Sequence, residues 1–469
     1  MNPLLMRPAL VCASLALAGC ASLQPQQSFA PLQAQTQALL KQDLQWPRDA
    51  EQTAALDARV AELLAVPLTA GSAVQIALLN HRGLRAELHQ LGVADADLVQ
   101  LSRPLNPGLS LGRMRQGSET EIERGLHLNL GSWLSLDQSR RVGALRLRQA
   151  QQDLALQVLT IAAQARKAYY QALAAEQLRQ YSLQVMQAAE AGAELARRMA
   201  AAGNVNKLRQ AREHGFYAEA ALSVARAEAQ ARSQREALIR ALGLWGEQTK
   251  FRLPGRLPEL PGTARELPEV ERQAITQRLD VQAAKRGAEL RASELGLSQR
   301  TRWINVLELG IVRNSSNEEP PQRGFELSLE LPLFDWGQAR VARAESLYMQ
   351  ALERTAHTAI QARSEAREAY GRYRSAFDIA RHYATEIVPT RQRIADENLL
   401  RYNGMLIGVF ELLADARAQI GAVSAAIEAQ RDFFLAEAEL DQALIGPAAA
   451  SALPSSSSTA PAEASAGGH

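Results

Sequence analysis

Landmarks in this chain of 469 residues recur about two hundred positions apart, and that duplication limits what it can fold into. Leu126, Leu128 and Leu130 of "LHLNL" match Leu327, Leu329 and Leu331 of "LSLEL", and Ala168-Tyr169 match Ala369-Tyr370, each 201 positions on. Gly203 falls opposite Gly404 at the same spacing, whereas Leu238, Ala241 and Leu242 match Leu440, Ala443 and Leu444 at 202. The second copy is therefore expected to carry one added residue after its glycine. Repeats of about 20–50 residues build solenoids. A period this long points instead to duplicated half-molecules.

Each half has the same predicted order of elements. A helix (73–101; 270–301) leads into a strand pair (about 106–133; 303–335). A long helix (137–202; 337–403), a glycine and a last helix (204–243; 405–445) follow. At about 1.5 Å per residue the long helix reaches about 100 Å, far beyond a globular helix. The two shorter helices laid end to end span nearly that length, which predicts a rod of two short helices antiparallel to one long one.

Seams support the rod. Leu154, Val158, Ile161, Ala165, Ala168, Ala172 and Ala175 alternate spacings of four and three. Ala359, Ala362, Ala366, Ala369, Tyr373, Ala376, Ala380, Tyr383 and Ile387 do the same in the second copy. Heptad spacing predicts coiled-coil packing. Apolar residues make up 47% of the chain but aromatics only 5%, so alanines are expected to let helix axes approach closely. Pro389 is expected to kink the second long helix.

The ends and the middle read differently. Arg7 precedes an apolar run from Pro8 to Ala18 that is too short to span a bilayer, the pattern of a secretory signal. Leu17, Ala18, Gly19 and Cys20 resemble a bacterial lipobox, which implies signal removal at 1–19, acylation of Cys20 and a lipidated segment 20–70. Ala21, rather than Asp, follows the cysteine and directs such a lipoprotein to the outer membrane. The chain's only other cysteine, Cys12, leaves with the signal, so no internal disulfide or thiol metal site is expected. Residues 71–245 and 270–446 form the two repeats. The Pro/Gly-rich stretch 246–269 links them, and 447–469 is a low-complexity tail expected to be disordered.

The strands carry the functional signal. In "GFELSLELPLFDWG" (324–337), Phe325, Leu327, Leu329, Leu331 and Leu333 point one way, and Glu326, Ser328 and Glu330 the other. Ile122, Leu126, Leu128 and Leu130 oppose Glu121, Glu123, His127 and Asn129 in the second strand, and Leu307, Leu309 and Ile311 oppose Glu308 and Gly310 in the third. The first strand, "GLSLGRMRQG", alternates poorly. Tilted strands of about 9–11 residues span a bilayer, yet four cannot close a barrel and no open sheet edge survives in lipid. Several chains would have to share one barrel, with leucines toward lipid and Glu121, Glu308, Glu326 and Glu330 toward a wet lumen.

Four segments, in order, resemble the TolC-like outer-membrane factors, particularly their lipoprotein branch: "PLTAGSAVQIALLNHRGL" (67–84), "RLDVQAA" (278–284), "LSLELPLFDWGQAR" (327–340) and "EIVPTRQRIADENLLRYNGMLIGVFELLADA" (386–416). The resemblance spans about 70–446 and implies a mainly α protein with a small membrane β part. It implies a homotrimer: four strands from each chain form a twelve-stranded barrel in outer-membrane lipid, above an α-helical periplasmic tunnel. It also implies passive conduction, with a periplasmic adaptor at the tips and an inner-membrane pump supplying the energy.

Gly203, Asn204, Val205 and Asn206 and, in the second half, Gly404, Met405, Leu406 and Ile407 occupy the family's hairpin tips. Both glycines are expected to take a left-handed backbone that reverses the chain, with or without a role in adaptor contact. Acids near the tips ring the family's aperture, which makes Glu411 and Asp415, with Arg209, Arg212 and Glu213, gate candidates. An ordinary solvated helix face is the alternative for them, and the family's acids come slightly sooner after the glycine.

Two other classes of function are weighed. The 52 basic and 50 acidic residues nearly cancel, which gives no field for nucleic acid. The seven histidines show no metal-binding helical pairing and no Gly-rich phosphate loop is present, so neither an enzyme nor a cofactor is expected. A non-conducting coiled-coil envelope scaffold is the remaining alternative, and it has no use for a leucine row backed by glutamates. The inward glutamates favour a cation-preferring lumen, and the cargo is set by the pump.

Overall fold

The computed structural model describes residues 25–302, 307–329 and 334–447. Cys12 and Cys20, the signal, Glu330, Leu331, Leu333 and all but the first residue of the tail lie outside the described residues.

The first half runs through α1 (Pro25–Leu40), α2 (Ala50–Ala65), α3 (Ala70–Asn80), α4 (Arg82–Leu101), β1 (Gly108–Gln116), β2 (Glu119–Asn129), α5 (Leu130–Ala201) and α6 (Lys207–Leu242). The second half runs through α7 (Val270–Gln277), α8 (Leu279–Thr301), β3 (Leu307–Ser316), β4 (Gln322–Leu329), α9 (Gln338–His382), a π-helical turn (Tyr383–Ile387), α10 (Val388–Asn403) and α11 (Val409–Ile445). With 72 residues, α5 is about 108 Å long. It packs on α3 and α4 along one part of its length and on α6 along the other, and the column of α9 and α10 meets α7, α8 and α11 in the same way. The rod of two short helices against one long one is the observed arrangement.

Each first helix is broken in two where the sequence reading expected one. The breaks fall at His81 and Arg278, which hold extended backbone angles between their flanking helices. A buried polar side chain ties each break to the far end of its own half. The Asn80 amide donates to the Gly243 carbonyl at 2.7 Å, and the Arg278 guanidinium donates to the Ala443 carbonyl at 3.3 Å. Arg278 is buried and is neutralised by Asp280 at 2.7 Å and Glu365 at 2.8 Å. A buried charge needs such partners.

The seam alanines Ala165, Ala168, Ala172, Ala175, Ala362, Ala366, Ala369 and Ala380 are buried. Ile161, Ala359, Tyr383 and Ile387 are only half-buried, and one further position of the second seam is displaced. Phe377, four residues after Tyr373, is buried, and Ala376 is only half-buried. The step of four places a ring where the core has room, and Phe377 meets Phe433 edge-on at 5.7 Å. Phe433 also meets Tyr373 at 5.6 Å, and Tyr170 stacks on Phe434 at 4.7 Å. The buried rings of Tyr169, Tyr170, Tyr373, Phe377, Phe433 and Phe434 thus gather at one level of the rod, beside Leu173, Leu238, Leu242 and Leu440.

Residues 246–269 hold one short 3-10 turn, Gly246–Thr249, and otherwise run as a strap pinned to the helices. The Arg265 and Leu267 amides donate to the hydroxyls of Tyr373 (2.9 Å) and Tyr370 (3.3 Å), and the Leu257 amide donates to Gln177 (2.9 Å). Side-chain acceptors replace the ladder that the prolines prevent. In the N-terminal segment, Phe29, Leu32, Leu44 and Trp46 form a second core with α4 and α5. Ser28 donates to Asp95 at 2.6 Å and holds α1 on α4.

Candidate functional site

Two places gather the residues that the sequence singles out: the sheet and the hairpin tips. The sheet has the order β1-β2-β3-β4 and every pairing is antiparallel. Leu309 stands between Leu128 and Leu327, and Ile311 between Leu126 and Phe325, so the apolar residues of three strands share one face. Leu109 joins them beside Leu126. That face is open: Phe325 is 82% exposed and Leu109 71%.

The pairings Asn129–Glu308, His127–Gly310 and Gly310–Glu326 bring Glu308 and Glu326 to the opposite face. Glu121 and Glu123 share it by alternation along β2. Glu121 accepts from the Asn314 amide at 3.0 Å, and Glu119 from the Ser316 hydroxyl at 2.7 Å. His127 lies across this face with Nε2 2.9 Å from the Ser110 hydroxyl. A Cβ at Gly125 would come within 2.7 Å of the imidazole, and one at Gly310 within 2.8 Å. Glycine at both neighbours is what lets the ring lie flat on the polar face.

The tips correct the sequence reading. Gly203 holds φ at 78°, as expected, but Gly404 has φ −80°, and it is Met405 that takes the left-handed backbone, with φ 59°. The closing bonds agree. Asn204 donates to the Met199 carbonyl and Leu406 to the Arg401 carbonyl, both at 2.9 Å, so the two turns are equivalent at a spacing of 202. The extra residue of the second half lies before its turn, not after the glycine. The π-helical turn Tyr383–Ile387 takes it up, because one i→i+5 turn holds one residue more than an α turn. The chain stays helical through Pro389, which sits in the first turn of α10, where its missing N–H matters little.

At both tips the flanking residues are open. Met405 is 93% exposed and Leu406 74%, while Val205 and Ile407 are half-buried equivalents. Asn206 caps α6 by accepting from the Arg209 amide at 2.9 Å. Gly408 stands at the matching place before α11 and has no side chain to offer.

No family model matches the chain, and no curated protein matches it. Solved structures do. CusC, described through the conformational changes accompanying folding and transmembrane channel formation, superposes with a TM-score of 0.67 at 16% identity, over 81% of this chain and 93% of that one. The open state of the Neisseria gonorrhoeae MtrE outer membrane channel gives 0.66 at 19% identity, over 80% and 88%. The chain has the fold of a TolC-like outer-membrane factor. A membrane protein from Pseudomonas aeruginosa superposes on this TolC-like fold with a TM-score of 0.68 at 20% identity, over 83% of this chain and 94% of that one.

Within this TolC-like fold the gate candidates form no single cluster in one chain. The Arg209 guanidinium lies over the Phe410 ring at 4.6 Å, and Asp415 accepts a short hydrogen bond from the Asn398 amide. Glu411, in the first turn of α11, and Arg212 are exposed and make no ion pair among the described residues. The two hairpins pack through α5 and α11, and the buried Glu213 of α6 adds an ion pair to Arg417 of α11 at 2.6 Å. Arg417 also covers the Phe216 ring at 4.2 Å. Arg417, Phe216, Phe410 and Asn398 were not singled out from sequence. Their spacing is ordinary helix spacing: the approach of α6 to α11 gives Arg417, Phe216 and Phe410 a role, and the packing of α10 on α11 gives Asn398 its own.

Among the described residues no group of three His, Cys, Asp or Glu side chains could hold a metal ion, and no helix is long and apolar enough to cross a membrane.

Proposed function

We propose that this chain is the outer-membrane channel of a tripartite efflux system, and that it carries substrate passively from a periplasmic adaptor and inner-membrane pump to the exterior. The observation that carries this reading is a sheet with an exposed apolar face and two unpaired edges, β1 and β4, among the described residues. Lipid covers such a face, and edges in lipid must find partners in other copies. Three chains of four strands each close a barrel whose inner wall holds Glu121, Glu308 and Glu326, which favours cations in the lumen. In the sequence, Glu330 continues the same alternation.

The anchor is acylated Cys20, a reading supported by the lipobox residues before it. Several acyl chains, each contributing roughly 0.8 kcal/mol per buried CH₂, give lasting attachment. Gly203–Asn206 and Gly404–Ile407 dock on the adaptor, supported by the open apolar side chains of Met405 and Leu406. Glu411, Asp415, Arg209 and Arg212 surround the aperture at the tip end, where charges unpaired within one chain meet those of the next.

The test is ion conductance of the purified, lipidated protein in a planar bilayer, with its mass measured in detergent. Small discrete steps that grow on Glu411→Ala, from a species of three chains, are the expected result. A monomer that never conducts, even with Glu411 and Asp415 both replaced, overturns the reading in favour of a scaffold.

A further inference from the structure

The apolar face of the sheet does not stay apolar to its end. Reading across the strands by register, one level holds Leu128, Leu309 and Leu327, and the next holds Leu109, Leu126, Ile311 and Phe325. The level after that, about 7 Å further toward the hairpin turns, holds Leu111, Arg124, Arg313 and Arg323 side by side. Arg113 and Arg115 follow on β1, each on this same face. The weak alternation of the first strand has this cause: its outward face changes from leucine to arginine halfway along.

All five arginines are exposed, and none has an ion-pair partner among the described residues. Arg124 reaches the Ser315 hydroxyl at 3.1 Å and Arg115 the Gly117 carbonyl at 3.4 Å, both neutral acceptors. The acids of the same strands, Glu119, Glu121 and Glu123, stand on the other face and do not reach through. Like charges directly opposite one another across strands repel. Three in a row beside a lipid-covered leucine band therefore call for anions from outside the chain. The opposite end of the sheet differs, because Trp133 and Phe334 there are exposed aromatics of the kind that suits a neutral interface.

We infer that Arg124, Arg313 and Arg323, extended by Arg113 and Arg115, form an outward-facing belt that binds the phosphates of anionic glycolipid headgroups in the outer leaflet. The inference rests on the channel reading, which sets this face in lipid. Arginine suits the task, since its planar fork engages a phosphate through two parallel bonds while its stem lies along the apolar band. In a closed trimer the belt encircles the barrel, so each bound headgroup also spans neighbouring strands.

The experiment uses the full-length protein and vesicles of phosphatidylcholine containing lipid A, either bis-phosphorylated or fully dephosphorylated. The protein is re-extracted, retained lipid is counted by native mass spectrometry, and conductance is recorded from the same preparation. The expected result is roughly tenfold greater retention of the phosphorylated form. That preference should vanish in the triple variant Arg124→Gln/Arg313→Gln/Arg323→Gln and survive in the matching lysine triple. Equal retention of the two forms by a conducting parent protein overturns the inference and leaves the channel standing, as does a preference that persists in the glutamine triple. A parent protein that neither inserts nor conducts overturns the channel reading, and the belt with it. Should the glutamine triple not fold, the comparison of the two lipids on the parent protein decides.

Discussion

Met405 holds a φ of 59° with a long side chain that gains nothing from it, while the glycine beside it sits at φ −80°, open to any residue. The two tips therefore respond differently to the same substitution. Gly203→Ala forces a Cβ into the left-handed region and should cost about 1–2 kcal/mol. Gly404→Ala meets only ordinary contacts, the nearest being the Leu400 carbonyl at 3.5 Å, and should be neutral or gain about 0.5 kcal/mol. Limited proteolysis at the two tips separates these outcomes, with faster cleavage expected only around residue 203. Equal sensitivity at both tips would restore the simpler reading of two equivalent glycines.

Tyr169 makes a second prediction at this scale. Its hydroxyl donates to the Leu68 carbonyl at 3.0 Å, and burial, helped by neighbouring Tyr170, pushes its pKa up to about 12. The folded protein holds this proton more tightly than the unfolded chain does. Its contribution is therefore complete below pH 10 and is lost as pH rises through about 12. Tyr169→Phe should lower stability by about 1 kcal/mol at neutral pH and flatten the melting-temperature profile between those limits. A variant whose alkaline profile matches the parent's would show that another group governs this range.

Among the elements, α6 and α11 are linked near the tips by the Glu213–Arg417 ion pair, with Arg209 over Phe410 and Arg417 over Phe216 beside it. Glu213 is 6% exposed and Arg417 is its one cationic partner among the described residues. Arg417→Met leaves a buried carboxylate without a partner and should cost about 2–3 kcal/mol, with enlarged conductance steps if the hairpins part. Adding Glu213→Gln should recover part of the loss. Purely additive effects in that double-mutant cycle would show that the pair does not hold the hairpins together. The π-helical turn belongs to this scale too. It restores the phase of α10 against α11 after an extra residue, and bonds such as Gln419 to Gln392 at 2.6 Å lie beyond it. Sequence comparison of the halves detects the extra residue but not its place, because Ala/Arg/Glu-rich helix offers several near-equivalent alignments.

At the scale of the whole molecule, side-chain periodicity determined much from sequence alone. Alternation by two fixed which residues of each strand share a face, and spacings of three and four fixed the helix seams and their lengths. Both are properties of a few neighbouring residues, so the chain carries them without reference to its fold. The long helices, the strand pairs and the sharing of one sheet face by Glu121, Glu308 and Glu326 were legible for that reason. Other features depend on residues far apart in sequence. Arg124 stands beside Arg313 only because β2 pairs with β3, and Glu213 meets Arg417 only because α6 meets α11. The choice of Met405 over Gly404 at the turn, and of Phe377 over Ala376 in the seam, followed from helix phase and from available space. Local pattern determined the elements and their faces; packing decided register, phase and which charges stand together, since those are relations between elements that no single stretch of chain contains.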